Sequence, residues 1–339
     1  MRVVHVEQAF GVDHLALRER PPPALGPGQA RVRMRAASLN YRDLMMVEGR
    51  YNPRQPLPLV PCSDGVGEVV EVGEGVTRVR PGQRVLPTFA QRWLAGDPTP
   101  EVYASTLGGP LDGALAEEMV VREEGLVEAP AHLSDEEAAT LPCAALTAWS
   151  ALVTHGDVKA GDTVVVLGTG GVSIFALQFA VLLGAEVVVT SSRDEKLARA
   201  RGLGAKHFVN YKKEPSWSKA VRAATGGRGA DLVVEVGGAG TFDESLRAVR
   251  PGGRVALIGV LSGGETSVNL TRVLMQGIRV QGVFVGHRQG FEAMNRAISA
   301  HQLRPVVDRV FDLADARAAF EAMRAGEHFG KIAVRVAPR

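Results

Sequence analysis

The sequence predicts an α/β protein in two parts: a β-rich part built as a partly closed barrel or sandwich, then a doubly wound parallel sheet. Three observations predict it. Residues 1–122 hold short alternating apolar segments punctuated by Pro and Gly. From about residue 123, strand-sized apolar runs alternate with helix-sized segments, the pattern of parallel βαβ units. A glycine-rich turn, Gly168–Ser173, joins the first of those runs to an apolar helix. At 339 residues, and about 150 per domain, two domains are the expected number.

In the first part, alternation marks Arg31–Ala37, Gly65–Val72 and Gln83–Leu86 as strands. The breaks between them are Pro21-Pro22-Pro23, Gly26-Pro27-Gly28, residues 56–61 and Pro81-Gly82. Residues 87–112 show no period and read as a long irregular loop. Ser134, with Glu137 three residues on, makes a capping box and starts a helix. The second part then alternates. Strands are expected at Thr163–Leu167, Glu186–Thr190, Phe208–Asn210, Asp231–Val236 and Arg254–Ile258. Helices are expected at Val172–Leu183, Glu195–Leu203, Trp217–Thr225 and Phe242–Val249. The strands are apolar throughout, as in a sheet covered on both faces. The tail holds helical segments at 291–301 and 315–325 and a strand at Lys331–Val336. It is too short for a domain of its own and is expected to rejoin an earlier one. The division is therefore 1–122, 123–290 and 291–339.

Composition removes several function classes. Apolar residues are 45% and charged residues 22%, so a buried core is affordable and disorder is not expected. With 39 basic against 37 acidic side chains the net charge is +2, which gives no field to draw nucleic acid or an anionic membrane. Aromatics at 5% offer few base-stacking platforms. No apolar run reaches membrane-spanning length, and the opening MRVVHVEQAF lacks the apolar stretch of a secretory signal. Cys62 and Cys143 cannot build a disulfide framework. The expectation is a soluble cytoplasmic protein with reduced thiols.

The strongest chemical signal is the turn after Thr163–Leu167. A dinucleotide loop needs glycine where the chain turns tightly and where backbone meets pyrophosphate, and the next helix aims its free N–H groups there. Gly168 and Gly170 match the first two positions, with Gly171 completing the turn and Val172 opening the helix. Ser173 replaces the third glycine and is small enough for close packing. The end of the second strand should choose the cofactor, because an acid there binds the ribose hydroxyls of NAD. That strand end has no acid. Ser191 and Ser192 leave room for a 2′-phosphate, and Arg193 and Lys196 add positive charge. NADPH (NADP+) is expected over NADH, with Asp194 and Glu195 facing solvent at the helix start.

Further segments resemble the medium-chain dehydrogenase/reductase superfamily, over essentially the whole chain. They include Asn40–Leu44, Gly65–Gly75, Pro81–Val85, Ala144–Leu152, Gly202–Asn210, Glu235–Gly238, Pro251–Gly259 and Phe329–Val334. Within it the chain is similar to the zinc-free, quinone-oxidoreductase-like branch. The resemblance implies a GroES-like β-barrel catalytic domain completed by the tail, and a Rossmann cofactor domain between. It implies that substrate and nicotinamide meet in the cleft between the two. By the same resemblance Thr147, Gly237, Gly238, Ile258, Gly259 and a strand at Val283–Val285 lie near the nicotinamide. Tyr211 packs on the adenosine 2′-phosphate, and Lys331 lies near the cofactor. The segment Gly277–Gly286 would form edge strands that pair across a homodimer, a tetramer being the other assembly; an exposed apolar edge is otherwise a liability.

Zinc members of the superfamily hold a catalytic metal with a Cys, a His-Glu pair and a later Cys. By resemblance Asn40 stands at the first position, Ser63-Asp64 at the pair and Cys143 at the last. Asn and Ser are poor zinc ligands, so no metal is expected, and Cys143 reads as a small buried residue. Residues 87–112 contain no cysteine for a structural zinc lobe. Without a metal, other groups must polarise a carbonyl: Asn40, Tyr51, Ser63 and Asp64 are the candidates. The eight histidines show no cluster with catalytic spacing. The sequence thus reads as an NADPH-dependent reductase of a quinone, an α,β-unsaturated carbonyl or a related small carbonyl compound. A zinc-dependent alcohol dehydrogenase and an NADPH-binding structural or RNA-binding protein are the alternatives.

Overall fold

A computed structural model describes residues 1–336. The chain divides into two compact units, Thr147–Val285 and a second made of Met1–Leu146 with the stretch from Gly286 onward.

The first unit is mainly antiparallel. Strands β1 (Arg2–Val6) and β2 (Leu15–Glu19) form a two-stranded sheet. Strand β3 (Gln29–Leu39) buries alternate residues over most of its length and is the hub of the larger sheet. Helix α1 (Tyr41–Val47) follows it directly. Strand β4 (Asp64–Val72) lies along all of β3, and two register shifts bend the pair. Then come β5 (Arg84–Pro87), the single turn α2 (Pro100–Tyr103), β6 (Glu118–Arg122), β7 (Leu126–Glu128) and α3 (Asp135–Ala138). Strand β6 covers one half of β3. Strand β7 pairs with β5, so residues just past 122 continue the first unit's sheet. The compact units divide at Leu146, in α4 (Leu146–Trp149), rather than at 122. The expected capping box at Ser134 and Glu137 is present, but the α-helix it opens is one turn long and gives way to a π-helical stretch, Leu141–Ala145.

The second unit is a six-stranded, wholly parallel sheet. Its strands are β8 (Thr163–Leu167), β9 (Glu186–Ser191), β10 (His207–Asn210), β11 (Ala230–Glu235), β12 (Val249–Leu257) and β13 (Arg279–Gly282). Helices α5 (Gly171–Leu182), α6 (Asp194–Gly202), α7 (Trp217–Ala224), α8 (Phe242–Ala248) and α9 (Leu270–Gln276) alternate with them. The spatial order is β10-β9-β8-β11-β12-β13, which reverses direction between β8 and β11. A crevice opens at the carboxyl ends of the strands at such a switch point. The core contains Val165, Val188, Val233 and Val255 from four adjacent strands. Val283–Val285, expected as a strand, lies just beyond β13, and Val285 has a left-handed backbone (φ 46°).

The tail returns to the first unit as α10 (Arg288–Ala300), β14 (Val307–Asp312), α11 (Ala316–Ala325) and β15 (Lys331–Arg335). Strand β15 pairs antiparallel with the end of β3 left open by β6. Phe320 and Met323 of α11 and Ile332 and Val334 of β15 pack into the same core as β3. Among the described residues, no helix is long and apolar enough to cross a membrane.

Candidate functional site

The glycine turn after β8 is built as a cradle. Gly168 has φ +71°, a conformation that favours glycine. Gly170 is extended and caps α5, whose first residues are Gly171 and Val172. A Cβ at either Gly168 or Gly170 would meet nothing within 4 Å, so the space above the turn is open. The hydroxyl of Ser173 donates to the Leu167 carbonyl at 2.6 Å, which ties the helix to the strand end at the third fingerprint position. The Gly168 N–H donates to Thr190 Oγ1 at 3.3 Å and links the turn to β9. Unmet helix N–H groups and the helix dipole favour an anion in that space.

Beside it, a cavity of about 650 Å³ is lined by Ser192, Arg193, Asp194, Glu195, Asn210, Lys212 and Lys213. Strand register builds it, because Asn210 pairs with Ser191 and so brings Lys212 and Lys213 to the same sheet edge. Ser191 itself is buried, and its Oγ accepts from the Arg193 N–H. Tyr211 is exposed, and its N–H donates to the Ser191 carbonyl. Asp194 is exposed at the start of α6, as expected, and is also hydrogen-bonded. It accepts from Asn210 Nδ2 at 2.7 Å and from Lys213 Nζ at 2.5 Å. The Lys213 hydrogen bond, with that of Asn210, holds its carboxyl below the usual range. The cavity therefore carries three cations, Arg193, Lys212 and Lys213, against two carboxylates.

Glu235, at the end of β11, is fully buried and organises the next two turns. Its Oε1 accepts from Gly237 N–H at 2.7 Å, Gly238 N–H at 2.9 Å and Thr241 Oγ1 at 2.6 Å. Ser245 Oγ donates to Oε2. The Glu235 carbonyl accepts the N–H groups of Ile258 and Gly259. Gly238 (φ +84°) lets the Val260 and Gly263 backbones pass where a Cβ would stand. Thr147 is buried in α4.

In the first unit a second polar cluster forms where three strands come side by side. Ser38 near the end of β3 pairs with Asp64 at the start of β4, and Leu39 pairs with Ile332 at the start of β15. This register gathers Asn40, Ser63, Asp64 and Lys331. Lys331 Nζ donates to Asn40 Oδ1 and to the Leu39 carbonyl, both at 2.6 Å. Asn40 Nδ2 donates to Ser63 Oγ at 3.4 Å, and Ser63 Oγ donates to Asp64 Oδ1 at 2.7 Å. Asp64 Oδ2 has no hydrogen-bond partner and lies 3.9 Å from Lys331 Nζ. Ser63 and Asp64 are 0% exposed, Lys331 3% and Asn40 9%. Burial pushes the Asp64 carboxyl up to about 6; Lys331 opposes the rise and Asp43 adds to it. Asp43 accepts from the Asn40 N–H at 2.8 Å and is raised by its own burial. The Cys143 thiol is also driven up, by burial and then by Asp64. Cys143 as a residue is only partly buried. Tyr51 stands apart from this network. It is 46% exposed, with the Arg42 guanidinium 5.2 Å from its ring centroid.

These donors do not fit zinc. The Asn40 oxygen is already turned to an ammonium and Ser63 offers a hydroxyl, which leaves Cys143 and Asp64 of these four as conventional ligands where a catalytic zinc takes about three. Among the described residues no group of three or more His, Cys, Asp or Glu side chains is placed to hold a metal ion.

Comparison with known proteins bears on both units. The model of the alcohol dehydrogenase GroES-like domain matches residues 26–131, and that of the zinc-binding dehydrogenase family matches residues 171–300. A zinc-type alcohol dehydrogenase-like protein of Schizosaccharomyces pombe is 42% identical, with 98% of each chain covered. The chain belongs to the medium-chain dehydrogenase/reductase superfamily. Its two sheets are that superfamily's GroES-like and Rossmann-like domains, and it is an oxidoreductase of that superfamily. Two solved structures are named for different nicotinamide cofactors. The crystal structure of an NAD-dependent alcohol dehydrogenase is 35% identical (TM-score 0.91; 99% of this chain and 100% of that chain covered). A 2-octenoyl-CoA carboxylase reductase solved with NADP and 2-octenoyl-CoA is 27% identical (TM-score 0.89; 100% and 88% covered).

Sequence reasoning missed Asn210, Lys212 and Lys213, which only the β9–β10 register brings to the cavity. It gave Glu235 no role, although a buried acid before two glycines signals a held turn. It expected Lys331 near the cofactor and did not foresee its bond to Asn40.

Proposed function

We propose that this chain is a zinc-independent, NADPH-dependent reductase of a quinone, an α,β-unsaturated carbonyl or a related small carbonyl compound. The observation that carries the reading is the buried Lys331 ammonium. It bonds Asn40 and faces Asp64 in the cluster where zinc relatives would bind their metal. A fixed cation there gives an electrostatic alternative to a metal. The bound nicotinamide would supply the hydride. The Gly168–Gly171 turn and the α5 N-terminus would hold its pyrophosphate, and Ser192, Arg193 and Lys212 would face the 2′-phosphate. Gly237, Gly238 and Gly259, held by Glu235, would approach the nicotinamide end, as would Thr147, Ile258, Val283 and Val285. Tyr51, the exposed hydroxyl of the first unit's candidates, would donate to the reacting carbonyl or its surroundings.

The test is turnover after exhaustive chelation, followed by nicotinamide absorbance with quinones and enones. Unchanged turnover with metal well below one per chain is expected. One zinc per chain, with activity lost on its removal, would overturn the reading. Asp194 and Glu195 in the cavity favour a second reading, an NAD-dependent enzyme. Parallel titrations with NADPH and NADH separate the two, tighter NADPH binding being expected.

We also propose a homodimer. Strand β13 is an exposed sheet edge, and Leu270, Leu274 and Met275 of α9 are 75%, 78% and 76% exposed. An apolar surface of this kind marks an association site. Sedimentation should give a dimer that Leu274→Glu weakens; a monomeric parent chain would refute it, and a tetramer would extend it.

A further inference from the structure

We propose that Asp194, Asn210 and Lys213 form a latch that sets the cofactor preference, engaging an acid that would otherwise bind the ribose hydroxyls of NADH. The inference rests on the NADPH reading and names residues that decide it. The cavity beside the glycine turn carries determinants for either nucleotide: Arg193, Lys212 and Lys213 against Asp194 and Glu195. A carboxylate next to this strand end suits the 2′- and 3′-hydroxyls of NADH, which donate to it. The same carboxylate repels the 2′-phosphate of NADPH. What decides between them is whether the acid is free to act.

Both oxygens of Asp194 are engaged from the far side of the sheet edge. Oδ1 accepts from Asn210 Nδ2 and Oδ2 from Lys213 Nζ. The Asn210 amide can point only one way. Its Oδ1 accepts the Lys212 N–H at 3.1 Å, so the donor edge is the one turned to Asp194. Asn210 is buried at the end of β10, which pairs with β9. Its carbonyl accepts the N–H groups of Lys213 and Glu214 at 3.0 and 2.8 Å, a turn that carries Lys213 back to the start of α6. An exposed Lys–Asp pair alone contributes little. Here an amide anchored in the sheet shares the carboxylate and fixes where the lysine finds it. The hydrogen bond to Asp194 in turn holds the Lys213 ammonium above its usual range.

Charge accounting gives the consequence. Asp194 and Lys213 cancel, which leaves Arg193 and Lys212 against Glu195 and the cavity with a net positive charge. Among the described residues no ion pair takes the Lys212 ammonium. That balance suits a 2′-phosphate. Opening the latch reverses the preference in two ways at once. It frees a carboxylate to accept from ribose hydroxyls, and it sets that carboxylate against a phosphate. One set of side chains thus holds both preferences, and the latch selects between them.

Lys213→Met removes the ammonium and keeps most of the stem. The Asp194 and Lys213 side chains are more than half exposed, so melting should be unchanged. Fluorescence titration at low, fixed ionic strength should show NADPH binding about fivefold weaker and NADH about twofold tighter, the scale of one exposed charge. Opposite signs matter, because a merely structural effect would move both nucleotides together. Adenosine 2′,5′-bisphosphate and AMP, which carry no nicotinamide, should show the same two directions by calorimetry. A second variant asks whether Lys213 instead touches the phosphate itself. Asp194→Asn combined with Lys213→Met leaves the cavity's net charge as in the parent. The latch predicts that NADPH affinity returns to about the parent value and that the NADH gain disappears. NADH binding unmoved or weakened by Lys213→Met, or a double variant as weak for NADPH as the single one, would overturn this inference alone. A parent chain that prefers NADH, or binds neither nucleotide, would overturn the NADPH reading and the inference with it.

Discussion

Substituting Gly170 by Ala tests the nucleotide cradle at a position the protein itself leaves empty. Gly170 has φ −78° and ψ −176°, extended backbone that alanine adopts freely. A Cβ there meets no protein atom within 4 Å. The cost to the fold is that of a poorer helix cap, about 0.5–1 kcal/mol. That should lower Tm by no more than about 4 °C for a domain of this size. A pyrophosphate seated on the α5 N-terminus would meet the new methyl and lose at least one close N–H contact. A hydrogen bond to a charged group contributes about 1.5–3 kcal/mol, so the dissociation constant for NADPH should rise by about 10- to 150-fold. NADH should lose the same factor, because both nucleotides share the pyrophosphate. Nicotinamide fluorescence titration measures the affinities, and a melting curve checks the fold. Affinity within twofold of the parent at unchanged Tm would refute the cradle. Gly168→Ala is the contrast: its φ of +71° makes the same methyl a strain on the fold, of order 1–2 kcal/mol, before any ligand binds.

Two further outcomes follow from charge placement. Lys212→Ala should weaken NADPH by about fivefold, roughly 1 kcal/mol for a partly screened ion pair, and leave NADH unchanged; equal losses for both nucleotides would move the 2′-phosphate elsewhere. Acid stability should carry two opposite slopes. Burial would raise Asp231, but hydrogen bonds from Arg228, the Thr163 N–H and Arg250 hold it at about 2. Its contribution, about 1–2 kcal/mol after screening at half-exposed Arg228, is present above the unfolded value near 3.9 and lost as pH falls through about 2. Asp64 acts the other way. Its folded value of about 6 lies above the unfolded one, so stability falls as pH rises from about 4 to 6. Denaturant midpoints against pH should lose the lower slope in Asp231→Asn and the upper slope in Asp64→Asn.

The parallel sheet was legible because its strands are buried on both faces. Thr163–Leu167 was placed to the residue, and β9 extends its expected range only by Ser191. Strand β13 was harder: its residues, RVQG, are all exposed, so nothing in their polarity marks a strand. In the first unit β1, β2, β6, β7 and β14 went unassigned. They are three to six residues long, too short for alternation to stand out. The same limit hid the site's long-range members. Asn40, Ser63 and Asp64 could be proposed from local motifs. Lys331 lies 291 residues from Asn40, and only the pairing of β15 with β3 shows that the two touch.

Charge accounting at the Asn40 cluster explains why the proposed reading needs Lys331. Asp43 and Asp64 are fully buried, and Arg42 and Lys331 are the cations beside them. The four formal charges cancel. A divalent metal added to this set would leave an excess of two positive charges beside the Lys331 ammonium. Removing Lys331 would instead leave Asp64 without its counter-ion, in a setting where an unpaired buried charge costs several kcal/mol. The cluster is thus balanced around an ammonium.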